Sequence, residues 1–474
     1  MNPQAATRRI RDLPGPRGLP LIGNMLEVDP ARLHLIAEDW VRKYGEYLRF
    51  RITDREFLVI ANAEAIATVL RDRPDGFQRT PRLNAIARQM GFGGVFSSNG
   101  EQWRRQRPMV MAAFDPAHIK SYFPVLVRVT ERFASRWRRA AQAGNAIELQ
   151  PELMRYTVDV VAGLAFGADI NTVESDDEVI QRHLDKVFPA LFKRLFSPIP
   201  FWKWFGFADR ELAGHLEALR RAVDGFIADA RSRMERDPAL RERPTNLLEA
   251  MIAARDKPDS GLTDADVSGN VLTMLLAGED TTANTLAWMI YLLSRNPPAL
   301  ERAREEVRSV LGPTRSLPDY EKLSRLDYLE ACANETMRLK PVAPINTAQA
   351  VRDSVVAGIE IPAGQLVICL MRPAAMDARH FPRPEEFDPA RWLADGGPAR
   401  AAASAKRASM PFGAGPRLCP GRYLAMLEIK MAMAMLLAGF EIESVTTPDD
   451  GEARENLALT MSPVGLRMKI RGAA

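Results

Sequence analysis

Residues Pro411 to Ala425 read PFGAGPRLCPGRYLA and hold one of only three cysteines in the chain. Cys419 stands in a loop of glycines and prolines, directly before GRYLAMLEIKMAMAMLL, an apolar run with helical periodicity. Pro420 suits the first turn of that helix. A thiol at a helix N-terminus feels the positive end of the dipole and nearby backbone N–H groups. Both favour the thiolate, below the ordinary value of about 8.5. A lone cysteine is most often a buried structural residue, but a thiolate in such a loop invites oxidation unless it is put to use.

The surrounding chain limits the uses. Its 474 residues can bury a large core and a sizeable ligand. Sixty-four basic residues against 60 acidic ones leave a net charge of +4, too balanced to argue for nucleic acid as a partner. Cys332, Cys369 and Cys419 are sparse and odd in number, so they form no disulfide framework, and a reducing cytoplasm is expected. Five scattered histidines form no close pair, and zinc-protease, zinc-finger and C-x-x-C-H patterns are absent. The opening MNPQAATRRIRDLPGPRG lacks the apolar stretch of a signal peptide or membrane anchor.

Helical periodicity dominates from about Phe114 to Leu311. Strand-like runs lie near both ends: EYLRFRI, EFLVIA, QLVICL and LALTMSPVGLRMKI. A mainly α protein follows, a large helical body with a smaller β-rich part. One helix is predicted from a capping box at Thr263 and Asp266 to a stop at Asn296-Pro297-Pro298. Its centre, VLTMLLAGEDTTANTLAWMIYLL, is apolar nearly all round and therefore buried. The segment AGEDTT, Ala277 to Thr282, breaks that run with two carboxylates and two threonines, a costly set in a core unless it is solvated or used. The plain alternative is a glycine-weakened helix kinked by a threonine bonding back to a carbonyl.

Two further pairs stand out. In NETMR, Glu335 and Arg338 share a helix face; on a surface such a pair contributes a few tenths of a kcal/mol, but the helix around it is largely apolar. In EQWRRQRPMV, Trp103 and Arg107 lie four apart, which a basic surface helix would also explain.

Together these stretches resemble the cytochrome P-450 family of haem-thiolate monooxygenases. Phe412, Gly415, Arg417, Cys419 and Gly421 fill F-x-x-G-x-R-x-C-x-G without a departure. The resemblance runs from the proline-rich hinge Leu13 to Asn24 to the end of the chain. It implies one haem domain over residues 1–474, with 1–24 as N-terminal segment and hinge and no fused reductase. It implies Cys419 as proximal iron ligand, pushing electrons into the haem b iron so that dioxygen is cleaved. Phe412 would pack beside the thiolate, Gly415 would let backbone N–H groups approach the sulfur, Arg417 would meet a propionate, and Gly421 would permit close packing of the next helix. Glu335 and Arg338 resemble the family's E-x-x-R, which Arg391 of FDPARW would complete as a buried triad. AGEDTT resembles the oxygen-binding signature. Thr281 would be the distal alcohol and Asp280 its proton source, with Ala277 and Gly278 leaving room for dioxygen. Trp103 and Arg107 match the W-x-x-x-R that meets the propionates. The family commonly has a propionate arginine some ten residues after Arg338, where this chain has Gln349.

By position in the family, substrate contacts would come from Arg82 to Phe96, Met274, Ala277, Val342 to Asn346 (with Ile345 and Asn346) and Leu459. These residues are mostly apolar or small, so a small hydrophobic substrate is expected. The aromatic run Phe188 to Phe207 would form a lid and permits shallow contact with a membrane surface. Electrons would come from NAD(P)H through a separate ferredoxin or flavodoxin and its reductase, received on a basic face of Arg104, Arg105, Lys406, Arg407 and Arg422. A cytoplasmic monomer is implied. Hydroxylation leads, with epoxidation and demethylation open to the same oxidant. The rival readings are a peroxide-driven peroxygenase or isomerase, and a non-catalytic haem-thiolate sensor.

Overall fold

The computed structural model describes residues 7–114, 116–175, 179–197, 206–312, 317–393 and 407–473. Its first half is mostly helical: α1 Leu33–Tyr44, α2 Ala63–Arg71, α3 Pro81–Gln89, α4 Gly100–Ala113, α5 Pro116–Gln142, α6 Leu149–Phe166, α7 Val179–Phe196, α8 Gly206–Arg236 and α9 Leu247–Arg255. Then come α10 Asp264–Arg295, α11 Pro297–Leu311, α12 Tyr320–Ser324, α13 Asp327–Leu339, α14 Met371–Ala375 and, after the cysteine loop, α15 Arg422–Gly439. No helix among the described residues is long and apolar enough to cross a membrane.

The strands are β1 Arg8–Arg9, β2 Tyr47–Ile52, β3 Arg55–Ile60, β4 Phe77–Gln78, β5 Ile147–Glu148, β6 Ile345–Ala350, β7 Ser354–Val356, β8 Ile359–Ile361, β9 Leu366–Leu370, β10 Phe440–Thr446, β11 Glu455–Ala458, β12 Thr460–Pro463 and β13 Arg467–Gly472. The largest sheet has the order β2-β3-β9-β6-β4, with β3 and β9 parallel and its other pairs antiparallel. The terminal strand-like run is not one strand. It supplies the β11–β12 hairpin and then β13, which joins β10 and β5 in another sheet.

Helix α10 forms as its ends predict. Thr263 accepts from the Asp266 N–H while Asp266 accepts from the Thr263 N–H, and Asn296 closes the helix before Pro297 opens α11. Its 32 residues at ~1.5 Å each span the molecule. α10 lies at the centre of the main core, which also takes in α6, α13 and α15. Two smaller apolar clusters cover the faces of the five-stranded sheet, one with α2 and one with α1.

The aromatic run is only partly described. Residues 188–196 belong to α7, whereas 198–205, with half of the predicted lid aromatics, lie outside the described residues, as do residues 1–6 and Lys406.

Candidate functional site

Ala277 is exposed midway along a helix that is otherwise largely buried. Gly278 cannot be larger: a Cβ would meet Val161 of α6 at 2.6 Å. Thr281 Oγ1 donates to the Ala277 carbonyl at 2.7 Å. Asp280 faces other partners, accepting from Asn284 Nδ2 at 2.9 Å and from Thr460 Oγ1 of β12. Burial pushes the Asp280 carboxyl up against the pull of those two donors. No hydrogen bond joins Asp280 to Thr281 among the described residues, because each side chain is engaged elsewhere.

In the loop ahead of α15, Cys419 is the half-buried cysteine, whereas Cys332 and Cys369 are buried. Its backbone N–H donates to the Phe412 carbonyl at 3.0 Å, closing the loop into a turn. Two sequence expectations change here. Pro420 lies in a turn ahead of α15, which begins at Arg422 with Gly421 as its cap, so Cys419 stands short of the helix N-terminus. Burial therefore dominates and raises the Cys419 thiol, against the Gly421 N–H and the charges of Arg107 and Arg422. The glycine roles also shift. Gly415, at φ 72°, is required because a Cβ would strike the Arg71 backbone at 2.6 Å, so it serves the packing of the loop on α2. Gly421 is the one that supplies a backbone donor to the sulfur.

Beside the cysteine loop the structure gathers four guanidinium groups. Arg417 lies over the Trp103 ring at 4.7 Å and donates to the Ser98 carbonyl at 2.8 Å. Arg107 Nη2 donates to the Leu418 carbonyl at 2.5 Å, beside the cysteine. Arg73 and Arg79 both donate to Asn346 Oδ1, at 3.2 and 3.4 Å. Among the described residues, none of the four has a carboxylate partner. Burial first, then repulsion by Arg73 and Arg417, pushes Arg79 well below its ordinary value. Arg417 is pushed down to about 9 by burial, Arg73 and Arg107. Guanidinium groups keep their protons in proteins, so this push measures how strongly the cluster calls for an anion.

That demand tests the expected haem, which carries two carboxylates. The residues fit: a cysteine sulfur with uncompensated arginines beside it, and a helix stripped to Ala277 and Gly278. Arg417 Nε, buried and without a hydrogen-bond partner, is one donor such a carboxylate would satisfy. Gln349 plays no part, since its amide donates to the Gly364 carbonyl at 3.0 Å. Arg73 and Arg79 were missed by the motif reading. The signal in the sequence was their spacing before the expected pocket loop at Arg82, but only the fold brings them to Asn346.

Glu335 and Arg338 are fully buried. Glu335 Oε1 accepts from Arg338 Nη2 at 2.8 Å, Arg391 Nε at 2.9 Å and the Asp388 N–H at 2.9 Å. Oε2 accepts from Arg338 Nε at 2.8 Å and from the Trp392 indole at 2.9 Å. Arg338 also donates to the carbonyls of Pro384 at 2.7 Å and Glu386 at 3.0 Å. The network fastens the segment before the cysteine loop to α13.

Of the expected substrate contacts, Met274 is buried, and Ile345 and Leu459 are half-buried against the main core. Asn346 instead spends its carbonyl oxygen on Arg73 and Arg79. Arg104 is no free cation: it pairs with Glu101 at 2.6 Å and with Asp75.

Comparison with known proteins agrees with this geometry. The chain is 28% identical to cyclooctatin synthase of Streptomyces melanosporofaciens, covering 97% of this chain and 96% of that protein. It is 27% identical to pentalenene oxygenase of Streptomyces avermitilis, covering 96% of each. The crystal structure of a cytochrome P-450 heme domain superposes with a TM-score of 0.85 over 99% of both chains at 24% identity, a likeness of fold. Residues 13–470 match the cytochrome P-450 family. The chain therefore belongs to the cytochrome P-450 family: it is a haem-thiolate monooxygenase that uses haem b and dioxygen to insert oxygen into a substrate.

Proposed function

We propose that the chain is a single haem domain that oxygenates a small hydrophobic substrate, most readily by hydroxylation, with electrons delivered from NAD(P)H by a separate ferredoxin or flavodoxin and its reductase. The observation that carries the site assignment is the placement of the Cys419 loop beside four guanidinium groups that lack anionic partners. When bound, haem supplies the iron chemistry of oxygen activation.

The chain's own residues do the rest. Cys419 Sγ would hold the metal, and the Gly421 N–H and Arg107 favour its ionised form. Arg417, Arg107, Arg79 and Arg73 would hold the propionates. Trp103 backs Arg417 by a cation–π contact. Thr281 Oγ1 both donates and accepts, so it can pass a proton into the space beside Ala277. Asp280 holds the proton that replenishes it, once freed from its present partners. Met274, Ile345 and Leu459 offer apolar surface to the substrate. The electron donor would dock beside Arg407 and Arg422, with Arg104 largely neutralised by its acids. A cytoplasmic location suits the sparse cysteines.

The test is the ferrous–CO difference spectrum of the purified protein with and without Cys419→His. A Soret band at the long wavelength of thiolate ligation, lost in the variant, supports the assignment. A short-wavelength band in folded protein, unmoved by the substitution, removes Cys419 as ligand.

A further inference from the structure

The β11–β12 hairpin is fixed at its base and bent at its tip. At the base, Glu455 accepts from His34 Nε2 at 2.9 Å, Lys340 Nζ at 2.6 Å and Arg372 Nη1 at 2.7 Å. Arg372 is in turn held by both oxygens of Glu38 at 2.9 Å. The Met461 N–H donates to the Val342 carbonyl at 2.8 Å, tying the second strand to the expected substrate segment. Ala458 pairs with Thr460, which leaves Leu459 alone at the turn with φ 82°. A leucine in the left-handed region is strained, and such strain persists only where surrounding contacts impose it.

The residue after that strained leucine is Thr460, whose hydroxyl donates to Asp280 Oδ2. The other Asp280 oxygen is held by Asn284, whose own carbonyl accepts from Gln150 Nε2 at 2.8 Å. Both carboxylate oxygens are thus engaged away from Thr281. The expected substrate contact Leu459 and the Thr460 that holds Asp280 are joined through one peptide bond.

We infer that Thr460 is a positioning residue that latches the Asp280 carboxylate, and that an apolar ligand seated against Leu459 releases it, so that proton delivery follows pocket occupancy. This rests on the reading of Asp280 and Thr281 as the proton-delivering pair. A rigid hairpin base confines the response to the tip, where relief of the Leu459 strain favours release. Among the described residues no charged side chain acts on Asp280; burial, Thr460 and Asn284 account for its shift.

The experiment follows the Asp280 carboxyl band by infrared titration of the haem-loaded protein, identified by its loss in Asp280→Asn. Wild type, Thr460→Val and Thr460→Ser are compared with and without phenylimidazole as the pocket-filling probe. Losing one hydrogen bond to the ionised form should raise the midpoint in Thr460→Val by about one to two pH units, with Thr460→Ser restoring wild type. Phenylimidazole should raise the wild-type midpoint toward that of Thr460→Val and leave the variant unmoved. An unchanged midpoint in Thr460→Val overturns the latch. So does an equal phenylimidazole shift in both proteins, which would be burial alone. Product per electron in Thr281→Ala separates the two ideas. If Thr281→Ala uncouples turnover while the Thr460→Val midpoint stays put, only the latch fails; if Thr281→Ala leaves coupling intact, the proton-delivery reading fails.

Discussion

Arg391 and Arg338 share a single oxygen: Glu335 Oε1 accepts from Arg391 Nε at 2.9 Å and Arg338 Nη2 at 2.8 Å. One carboxylate thereby compensates two guanidinium groups, and its removal leaves Arg338 charged and fully buried. Breaking such a network costs about 3–5 kcal/mol. Glu335→Ala should therefore express poorly and carry little haem, measured as the ratio of haem to protein absorbance after purification. Normal yield with full haem content would show the network to be dispensable.

The Trp392 indole bonds the same carboxylate through Oε2. Trp392→Phe keeps an aromatic side chain but drops that donor, at a net loss of about 1.5–3 kcal/mol for a bond to a charged acceptor. The urea midpoint should fall while the CO spectrum keeps its shape. A changed spectrum with unchanged stability would place Trp392 in the haem environment instead.

The motifs were legible because each packs its chemistry within a few consecutive residues. The helix bearing Asp280 and Thr281 could be bounded from its capping box and its terminal prolines. What could not be read was produced by long-range closure. Arg73 and Arg79 meet over Asn346, some 270 residues away in sequence for Arg73. Thr460 reaches Asp280 across a separation of 180 residues. No local period encodes either contact. The expected ionisation of Cys419 also depended on placement: two turn residues separate it from α15, so burial outweighed the helix terminus.

The arginine cluster gives a prediction with opposite signs in two states. Without an anion, Arg79 is pushed down by burial and by its neighbours Arg73 and Arg417. Arg79→Leu should therefore leave haem-free protein as stable as wild type or more so. In the loaded protein it removes a charge-assisted contact contributing about 1.5–3 kcal/mol, roughly a tenfold to hundredfold faster haem loss if the change lies in dissociation. Haem transfer to an excess of apo-myoglobin measures the rate. Equal stability losses in both states, with no change in haem transfer, would make Arg79 an ordinary packing residue.

Thr281→Ala removes a hydroxyl beside the exposed Ala277 step while leaving the helix bonds intact. General acid–base assistance contributes ~10²–10⁴ in rate, so product should fall sharply while reductant consumption continues and hydrogen peroxide accumulates. Product per electron equal to wild type would remove Thr281 from the proton path.

Glu428 on α15 gives the clearest dependence on pH. It is buried, its Oε1 has no hydrogen-bond partner among the described residues, and the Thr282 hydroxyl beside it lowers its value only in part. Burial pushes its carboxyl up from 4.5 to about 8. The folded state thus holds this proton more tightly than the unfolded chain does. The contribution to stability is fully present below the unfolded value and is lost as pH rises toward about 8, by up to about 1.4 kcal/mol per pH unit within that window. Above it both states are ionised and the loss levels off. Glu428→Gln keeps the shape without the titration, so its Tm should decline less than that of wild type between pH 5 and 8, a window taken as roughly that between the two values. Parallel Tm curves for the two proteins would mean that Glu428 is not the group holding this proton.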